Sequence, residues 1–344
     1  MKNNFTVVMI IVLLFSAAVQ AQNNGKNKFM VANWNLENLF DTADDPEKDD
    51  AEFLPQSEKN WTPERLSQKF SNLARVISSM YDGSGPDILG VEEVENQNLL
   101  DTLNMHYLKN VIKDKQYKIA YAASPDTRGI DVGLLYNSNM FELIATNTDT
   151  VYLTEKYPTR LVLSAELRFN GNQSLYVIVN HWPSRRSGQR ESELNRFSAA
   201  SVVRHRVDKI LSKDPEARIV ITGDFNDEPE NISLTDTLMA KKIECGYSKD
   251  TLSSRNLYNL AYVKSVSNEG SYFYKGEYNM LDQIIVSKNM LISNYICNSF
   301  EVYKPEFMKT RSGKFEGSAF PTYGGRNYLG GYSDHYPVTA VFEY

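Results

Sequence analysis

The stretch Val177–Glu191, VIVNHWPSRRSGQRE, decides how the rest of the chain is read. An apolar run rich in β-branched residues ends on Asn180 and His181, and Arg185, Arg186 and Arg190 follow at once. A run this short reads as a buried strand. A titratable ring therefore stands at a strand mouth beside concentrated positive charge. The chain has only four histidines, at 106, 181, 205 and 335, and His335 also sits at the edge of an apolar run, in GYSDHYPV (331–338).

Other apolar runs of strand length lie at 29–34, 88–91, 117–122, 132–136, 161–167, 218–222, 281–286 and 337–342. Their ends are polar in a consistent way. NWNLEN (33–38) offers Asn35 and Glu37, and LGVEEVEN (89–96) offers Glu92, Glu93 and Glu95. IVITGDFNDEP (219–229) places Asp224 and Asn226 just past a strand, and NMLDQIIVS (279–287) sets Asp282 among apolar residues. One Asp or Asn after a strand is a turn residue. Six such ends, each with a metal-type or proton-type group, describe a site. Carboxylates and amides are hard donors suited to Mg²⁺, Mn²⁺ or Ca²⁺, histidines carry protons near neutrality, and arginines match phosphate. Together they describe metal-assisted phosphoester hydrolysis.

Two helices are legible. WTPERLSQKFSNLARVISSM (61–80) has Thr62 as N-cap, Pro63 at the first turn, and Leu66, Phe70, Leu73 and Ile77 on one stripe. A second is expected from near Gln189, with Leu194, Phe197, Val203, Val207 and Ile210 inward. Arg190, Arg196, Arg204 and Arg206 are read as its solvated face. Strands outnumber helices and the runs 161–167 and 175–179 look like a hairpin, which marks two packed mixed sheets. The acidic stretch DTADDPEKDD (41–50) lacks the Gly and terminal Glu of a calcium loop and reads as a surface loop.

Residues 1–21 have the charged start, short apolar core and small-residue end of a secretory signal. The core is too short to span a bilayer. An exported protein is expected, periplasmic or extracellular, with a short flexible N-terminus over 22–27, one domain over 28–344, no stable membrane anchor and no obligatory protein partner. Cleavage would remove one lysine and no acid, moving the formal charge from −6 to −7, with 36 basic against 43 acidic residues. That balance argues against avid, sequence-independent binding of DNA. The two cysteines, Cys245 and Cys297, could pair after export, but spacing alone does not supply the separation a disulfide needs.

NWNLENLF, GVEEVEN, GIDVGLLY, VNHWPSR, GDFND, LDQIIVS and YSDHYPV occur in this chain in one order. In that order they resemble the motifs of the endonuclease/exonuclease/phosphatase superfamily, over essentially all of residues 28–344. The resemblance implies a four-layer α/β sandwich (an α+β arrangement), two mixed β-sheets face to face with helices on both outer sides. It implies Glu93 as the principal metal ligand, with Asn35 and Asp334 beside it and Glu37 as a further ligand where relatives differ. His335 resembles the general-base or phosphate-contacting histidine, oriented by Asp282. Asp224 and Asn226 resemble the pair that positions water and phosphate, and His181 the second histidine. Arg128 and Asp131 match more loosely: Asp131 would orient His181 and Arg128 would face the site. Arg185 and Arg186 are the expected phosphate contacts. The implied function is a metal-dependent nuclease acting on nucleic acid with Mg²⁺, Mn²⁺ or Ca²⁺. A phosphomonoesterase or a phospholipid or inositol-phosphate hydrolase would share the same motifs, and a catalytically silent binding module would keep the fold without the chemistry.

Overall fold

The structure, a computed structural model, describes residues 27–155 and 157–344. The expected signal peptide over residues 1–21 lies outside the described residues. A six-stranded sheet runs in the order β14 (Glu301–Val302), β17 (Val338–Glu343), β1 (Lys28–Leu39), β2 (Ile88–Val94), β4 (Asp131–Asn137) and β3 (Tyr117–Ala122). A seven-stranded sheet runs β5 (Glu142–Asp149), β6 (Val162–Phe169), β7 (Gln173–His181), β8 (Arg218–Asp224), β13 (Asp282–Ser287), β10 (Leu257–Asn259) and β9 (Ala240–Lys242). Two small hairpins stand apart, β11 (Tyr272–Tyr274) with β12 (Glu277–Asn279), and β15 (Tyr323–Gly324) with β16 (Asn327–Tyr328).

Strand period sorts the side chains into layers. On the seven-stranded sheet Val177, Val179 and Val220 join the core shared with Leu89 and Val91 of the other sheet. Their neighbours Ile178, Ile219 and Ile221 point the opposite way, into a second core under the long helix. These layers form the expected α/β sandwich. Both sheets are mixed, since β1 and β2 are parallel, as are β7 and β8, while β13 and β17 run antiparallel to their partners. The hairpin expected from 161–167 and 175–179 is present as β6 and β7.

Helix α1 (Pro63–Ser79) forms where its signals stand: the Thr62 side chain accepts from the Arg65 N–H, and Phe70, Leu73, Val76 and Ile77 are buried. A helical segment follows β2, comprising α2 (Gln97–Thr102), a π-turn at Leu103–Leu108 and α3 (Lys109–Val111). The second long helix, α4 (Glu193–Lys213), starts later than the expected Gln189 and turns differently. Leu194 is 60% exposed and Phe197 only half-buried, whereas Ala199, Ala200, Val203, Val207 and Ile210 face the sheet. Arg196 is fully buried, not on a solvated face, because its guanidinium reaches the buried Asp227 carboxylate at 2.8 Å. Strand β5, ELIATNTD, has no apolar run to reveal it and lies at an exposed sheet edge. Cys245 and Cys297 are bonded, their Cα atoms 5.8 Å apart, inside the usual disulfide range.

One backbone position controls how closely β7 and β8 approach at the rim. Gly223 has φ +152°, and a Cβ there would come 1.8 Å from the Asn180 carbonyl oxygen. Gly223→Ala must push one of two paired strands aside. Thermal or urea unfolding should show a loss of about 2 kcal/mol or more, as for overpacking of a close-packed interior. An unchanged melting temperature would mean the two strands have slack at this point.

Candidate active site

Parallel pairing makes β1, β2, β7 and β8 end on the same rim, and the antiparallel β13 and β17 begin there. Register then does the rest. His181 lies opposite Asp224, and Asp224 lies opposite Asp282, so three site residues form one row across three neighbouring strands. Asn35 lies opposite Glu92 on the facing sheet. Its amide donates across to Asp224 Oδ2 at 3.3 Å, which joins the two sheets at the site.

The backbone leaves regular strand geometry at this rim. Glu37, Asn38, Glu93 and Asn226 all have φ near +50 to +60°. Both β1 and β2 shift register there. Non-glycine residues in this region carry a local cost of about 1–3 kcal/mol, and here they aim polar side chains off the sheets. Glu93 Oε2 accepts from the Asn38 N–H at 3.0 Å, and Asn226 N–H caps Asp224 Oδ1 at 2.9 Å.

His335 and Asp282 form the expected pair, Nδ1 to Oδ2 at 2.7 Å. The His335 carbonyl accepts from Trp34 Nε1, its N–H donates to Ser333 Oγ, and Ser333 donates to the Asn35 carbonyl. Burial alone would depress the imidazole pKa. The carboxylates of Asp282, Asp334 and Asp224 outweigh it and hold the pKa well above the usual range. His181 goes the other way, pulled well down by burial and by the nearby Arg160 and Arg128. Its Nε2 is 3.6 Å from Asp224 Oδ2 and its buried Nδ1 has no hydrogen-bond partner. The site thus keeps one imidazolium and one neutral imidazole.

Asp224 is pushed up to about 6 by burial, with His335 opposing and Asp282 adding to the rise. Asp334 reaches about 7, through burial and then the Glu37 carboxylate. Five carboxylates, Glu37, Glu93, Asp224, Asp282 and Asp334, share the rim with Lys69 and His335, while Arg160 and Arg128 stand on the His181 side. Around Asp334 negative charge is in excess. Among the described residues no three His, Cys, Asp or Glu side chains are already gathered as a metal site. Asn35, Glu93 and Asp334 bring an amide and two carboxylates, the hard-donor chemistry of a hydrated divalent cation that keeps several waters.

Several expected roles fall elsewhere. Glu37 is not an open ligand, because Oε2 accepts from Thr322 N–H at 2.6 Å and Oε1 from Tyr323 N–H at 3.2 Å. Asp131 does not orient His181; Tyr121 OH and the Ser124 N–H take its carboxylate. Arg185 is spent internally, donating to the Asn226 carbonyl at 2.6 Å, to Asp227 and to Asn231. Arg186 is exposed. Arg128 is exposed and donates to Asn38 Oδ1 at 2.9 Å. His106 and His205 are both surface residues. The acidic stretch 41–50 is mostly at the surface, except Asp50, which is buried and accepts from the Asp45 N–H.

Three residues without a motif belong to the site. Arg160 is buried between Asp126 and the Trp182 carbonyl, beside His181. Lys69, buried on α1, donates to Thr322 Oγ1 and the Tyr332 carbonyl and lies 3.8 Å from Glu37 Oε2. Tyr272 stacks on His335 with centroids 4.6 Å apart. A charged residue in the buried stripe of a helix, as Lys69 is, was the one sequence signal available for any of them.

The family model described as the endonuclease/exonuclease/phosphatase family matches residues 30–343. No curated protein matches the sequence. Among solved structures, truncated Caenorhabditis elegans TDP2 aligns with a TM-score of 0.54 at 16% identity, covering 92% of this chain and 98% of that one. The human Nocturnin catalytic domain with bound sulfate gives 0.52 at 16%, with 92% and 94% covered. A Bacteroides thetaiotaomicron mannosyl-6-phosphatase gives 0.55 at 14%, with 92% and 100% covered. At these identities the three establish the shared fold. With the family model spanning nearly all the described residues, the chain belongs to the endonuclease/exonuclease/phosphatase family of phosphoester hydrolases.

Proposed function

We propose that this enzyme is an exported, divalent-metal-dependent phosphodiesterase that cleaves nucleic acid by direct attack of water. The observation that carries the reading is the pairing of an electron-rich rim with two histidines held in opposite protonation states. Asn35, Glu93 and Asp334 would hold Mg²⁺ or Mn²⁺, which when bound supplies charge neutralisation at the phosphate. Ca²⁺ suits the same donors. His335, kept as imidazolium by Asp282, donates a hydrogen bond to a phosphoryl oxygen and acts as an electrostatic clamp. Asp224, with a pKa of about 6, is ionised at neutral pH and is the better placed proton acceptor for water. Asn226, whose amide donates to the Trp182 carbonyl, holds the loop that positions that water. Neutral His181 offers one N–H to the phosphate or leaving group. Arg128, on the His181 side of the centre, and the exposed Arg186 would meet flanking phosphates.

The disulfide supports export, since such bonds persist in oxidising compartments. Among the described residues no helix is long and apolar enough to cross a membrane. A phosphomonoesterase would use the same centre, so plasmid DNA, RNA, a phosphomonoester and a phospholipid should be assayed side by side with Mg²⁺. Turnover of the monoester alone would replace the nuclease reading.

Chelation by EDTA should abolish hydrolysis and Mg²⁺ or Mn²⁺ restore it, with Glu93→Gln losing about a hundredfold or more; full activity in chelator would end the metal proposal. His335→Ala and Asp282→Asn should each cut kcat by about 10²–10⁴-fold, and wild-type kcat in either would remove the clamp.

Metal binding should depend on pH in a defined direction. Asp334 and Asp224 have folded pKa values of about 7 and about 6, above the ordinary 3.8. A raised carboxyl costs stability as pH climbs from the unfolded to the folded value, so these two groups destabilise the metal-free protein across roughly pH 4–7. A cation held by Asp334 needs that carboxyl ionised, and its charge also favours the ionised form of Asp224 nearby. The rise in melting temperature on adding Mg²⁺ should therefore grow from pH 5 to pH 8. A shift independent of pH would place the metal away from these groups.

The two neighbouring arginines should separate. Arg185→Ala deprives Asp227 of one buried partner and should lower stability by about 1–3 kcal/mol. Arg186→Ala should leave stability intact and raise KM on a polymeric substrate. Denaturation curves and steady-state kinetics on both variants check this, and a reversal of the two effects would contradict the assignment.

A further inference from the structure

Beside the catalytic rim lies a cavity of about 250 Å³ lined by Tyr272, Phe273, Phe315, Phe320 and Leu329, with Asp334 at one end. The lining is mostly aromatic or aliphatic, with Thr310, Ser318 and Asp334 its non-aromatic polar side chains, and only Asp334 belongs to the motifs at the strand ends. The cavity is continuous with the site at two points. Asp334 lines it, and Tyr272, which lines it too, stacks on His335 and bridges to it in backbone pairing. An occupant would therefore lie beside the His335 and Asp334 part of the site.

Its walls are built. One is the β11–β12 hairpin, where Phe273 packs edge-on against Tyr278 at 5.0 Å and reaches Phe315 at 6.5 Å. Tyr278 and Tyr336 both donate to the Gly317 carbonyl, tying the hairpin side to the loop that carries Phe315. The opposite wall, residues 320–323, is fixed from beneath by Glu37 through the Thr322 and Tyr323 N–H groups and by Lys69 through Thr322 Oγ1. The buried Glu37 and Lys69 thus shape the cavity's wall rather than only the rim.

Size and charge select an occupant. At about 250 Å³ the cavity falls below the 300–1,000 Å³ usual for whole drug-sized ligands and suits one planar ring system. The adjoining segment 304–316 carries Lys304, Lys309, Arg311 and Lys314 against Glu306 and Glu316, a local excess of positive charge in a chain of formal charge −6. Lys314 and Lys275 lie over the exposed rings of Phe315 and Tyr274. Aromatic rings interleaved with cations are the chemistry that stacks bases and pairs with phosphates. A base inside a duplex cannot reach such a cavity without leaving its stack.

We propose that this cavity receives one unpaired nucleobase next to the scissile phosphate, which makes single-stranded or frayed nucleic acid the preferred substrate. The proposal rests on the phosphodiesterase reading above and adds the substrate class. A thymidine oligonucleotide, the same strand in a blunt duplex, and an abasic strand of equal length should be compared with Mg²⁺ present. The single strand should exceed the duplex in kcat/KM by about tenfold or more, and removal of the bases should cost about five- to a hundredfold. Phe273→Ala and Phe315→Ala should each lose about five- to a hundredfold on the single strand, mainly in KM. Losses from ring and base removal should not multiply when combined, as for groups in direct contact. Phe315 is 52% exposed, so its variant should fold even if Phe273→Ala does not. Equal turnover of strand and duplex, or multiplying losses, would overturn the cavity's role while leaving the nuclease reading intact. No cleavage of any oligonucleotide would instead sink the nuclease reading. Hydrolysis of phospholipid vesicles that the Phe315 variant loses would reassign the cavity to an acyl chain.

Discussion

The row His181, Asp224, Asp282 across three hydrogen-bonded strands is the constraint on which the site depends. Strand pairing is rigid in register, since a slip of one residue would send all three side chains to the opposite face. The row therefore places two carboxylates and an imidazole side by side whatever their mutual repulsion. The neighbouring sheet adds Asn35, Glu93 and Asp334 to the same crowd. Repulsion of this kind is tolerated because two packed hydrophobic cores hold the strands, and it contributes to the raised pKa values of Asp224 and Asp334.

Two buried cations manage that crowding from opposite sides. His335 is clamped by Asp282 within the row, while Lys69 comes up from α1 beneath Glu37. Burial lowers the Lys69 pKa, and Glu37, Asp334 and Glu93 oppose that fall. Lys69 also fastens the loops around Thr322 and Tyr332. Removing it would leave several buried acceptors without a donor, a penalty that a surface lysine never incurs. The same residue thus links the charge balance of the rim to the shape of the cavity beside it.

The arginines after His181 show how position in the fold overrides an attractive local pattern. Arg185 and Arg196 converge on Asp227, and Ser233 donates to its other oxygen at 2.5 Å. A buried carboxylate needs such partners. Arg185, Arg196 and Ser233 thus brace the turn that follows Asp224 and Asn226 through Asp227. Arg160 reaches the same neighbourhood from the start of β6 and lowers the His181 pKa by its field.

Much was legible in the chain itself. Apolar runs ending on Asn, Asp, Glu and His located six polar strand ends, because strand length and side-chain direction in a strand are local properties. The Thr62–Pro63 start of α1 is local too, and the structure keeps it. Tertiary structure alone decided the rest. Whether Asp131 meets His181 or Tyr121, whether Glu37 holds a cation or a loop, and whether Arg196 faces water or Asp227 all depend on how other segments pack against them. The cavity between β11–β12 and the 315–329 loop likewise has no signature, since its walls come from separate segments, one of them held by Glu37 and Lys69. Sequence determines which way a side chain leaves its own strand; only packing determines what it finds there.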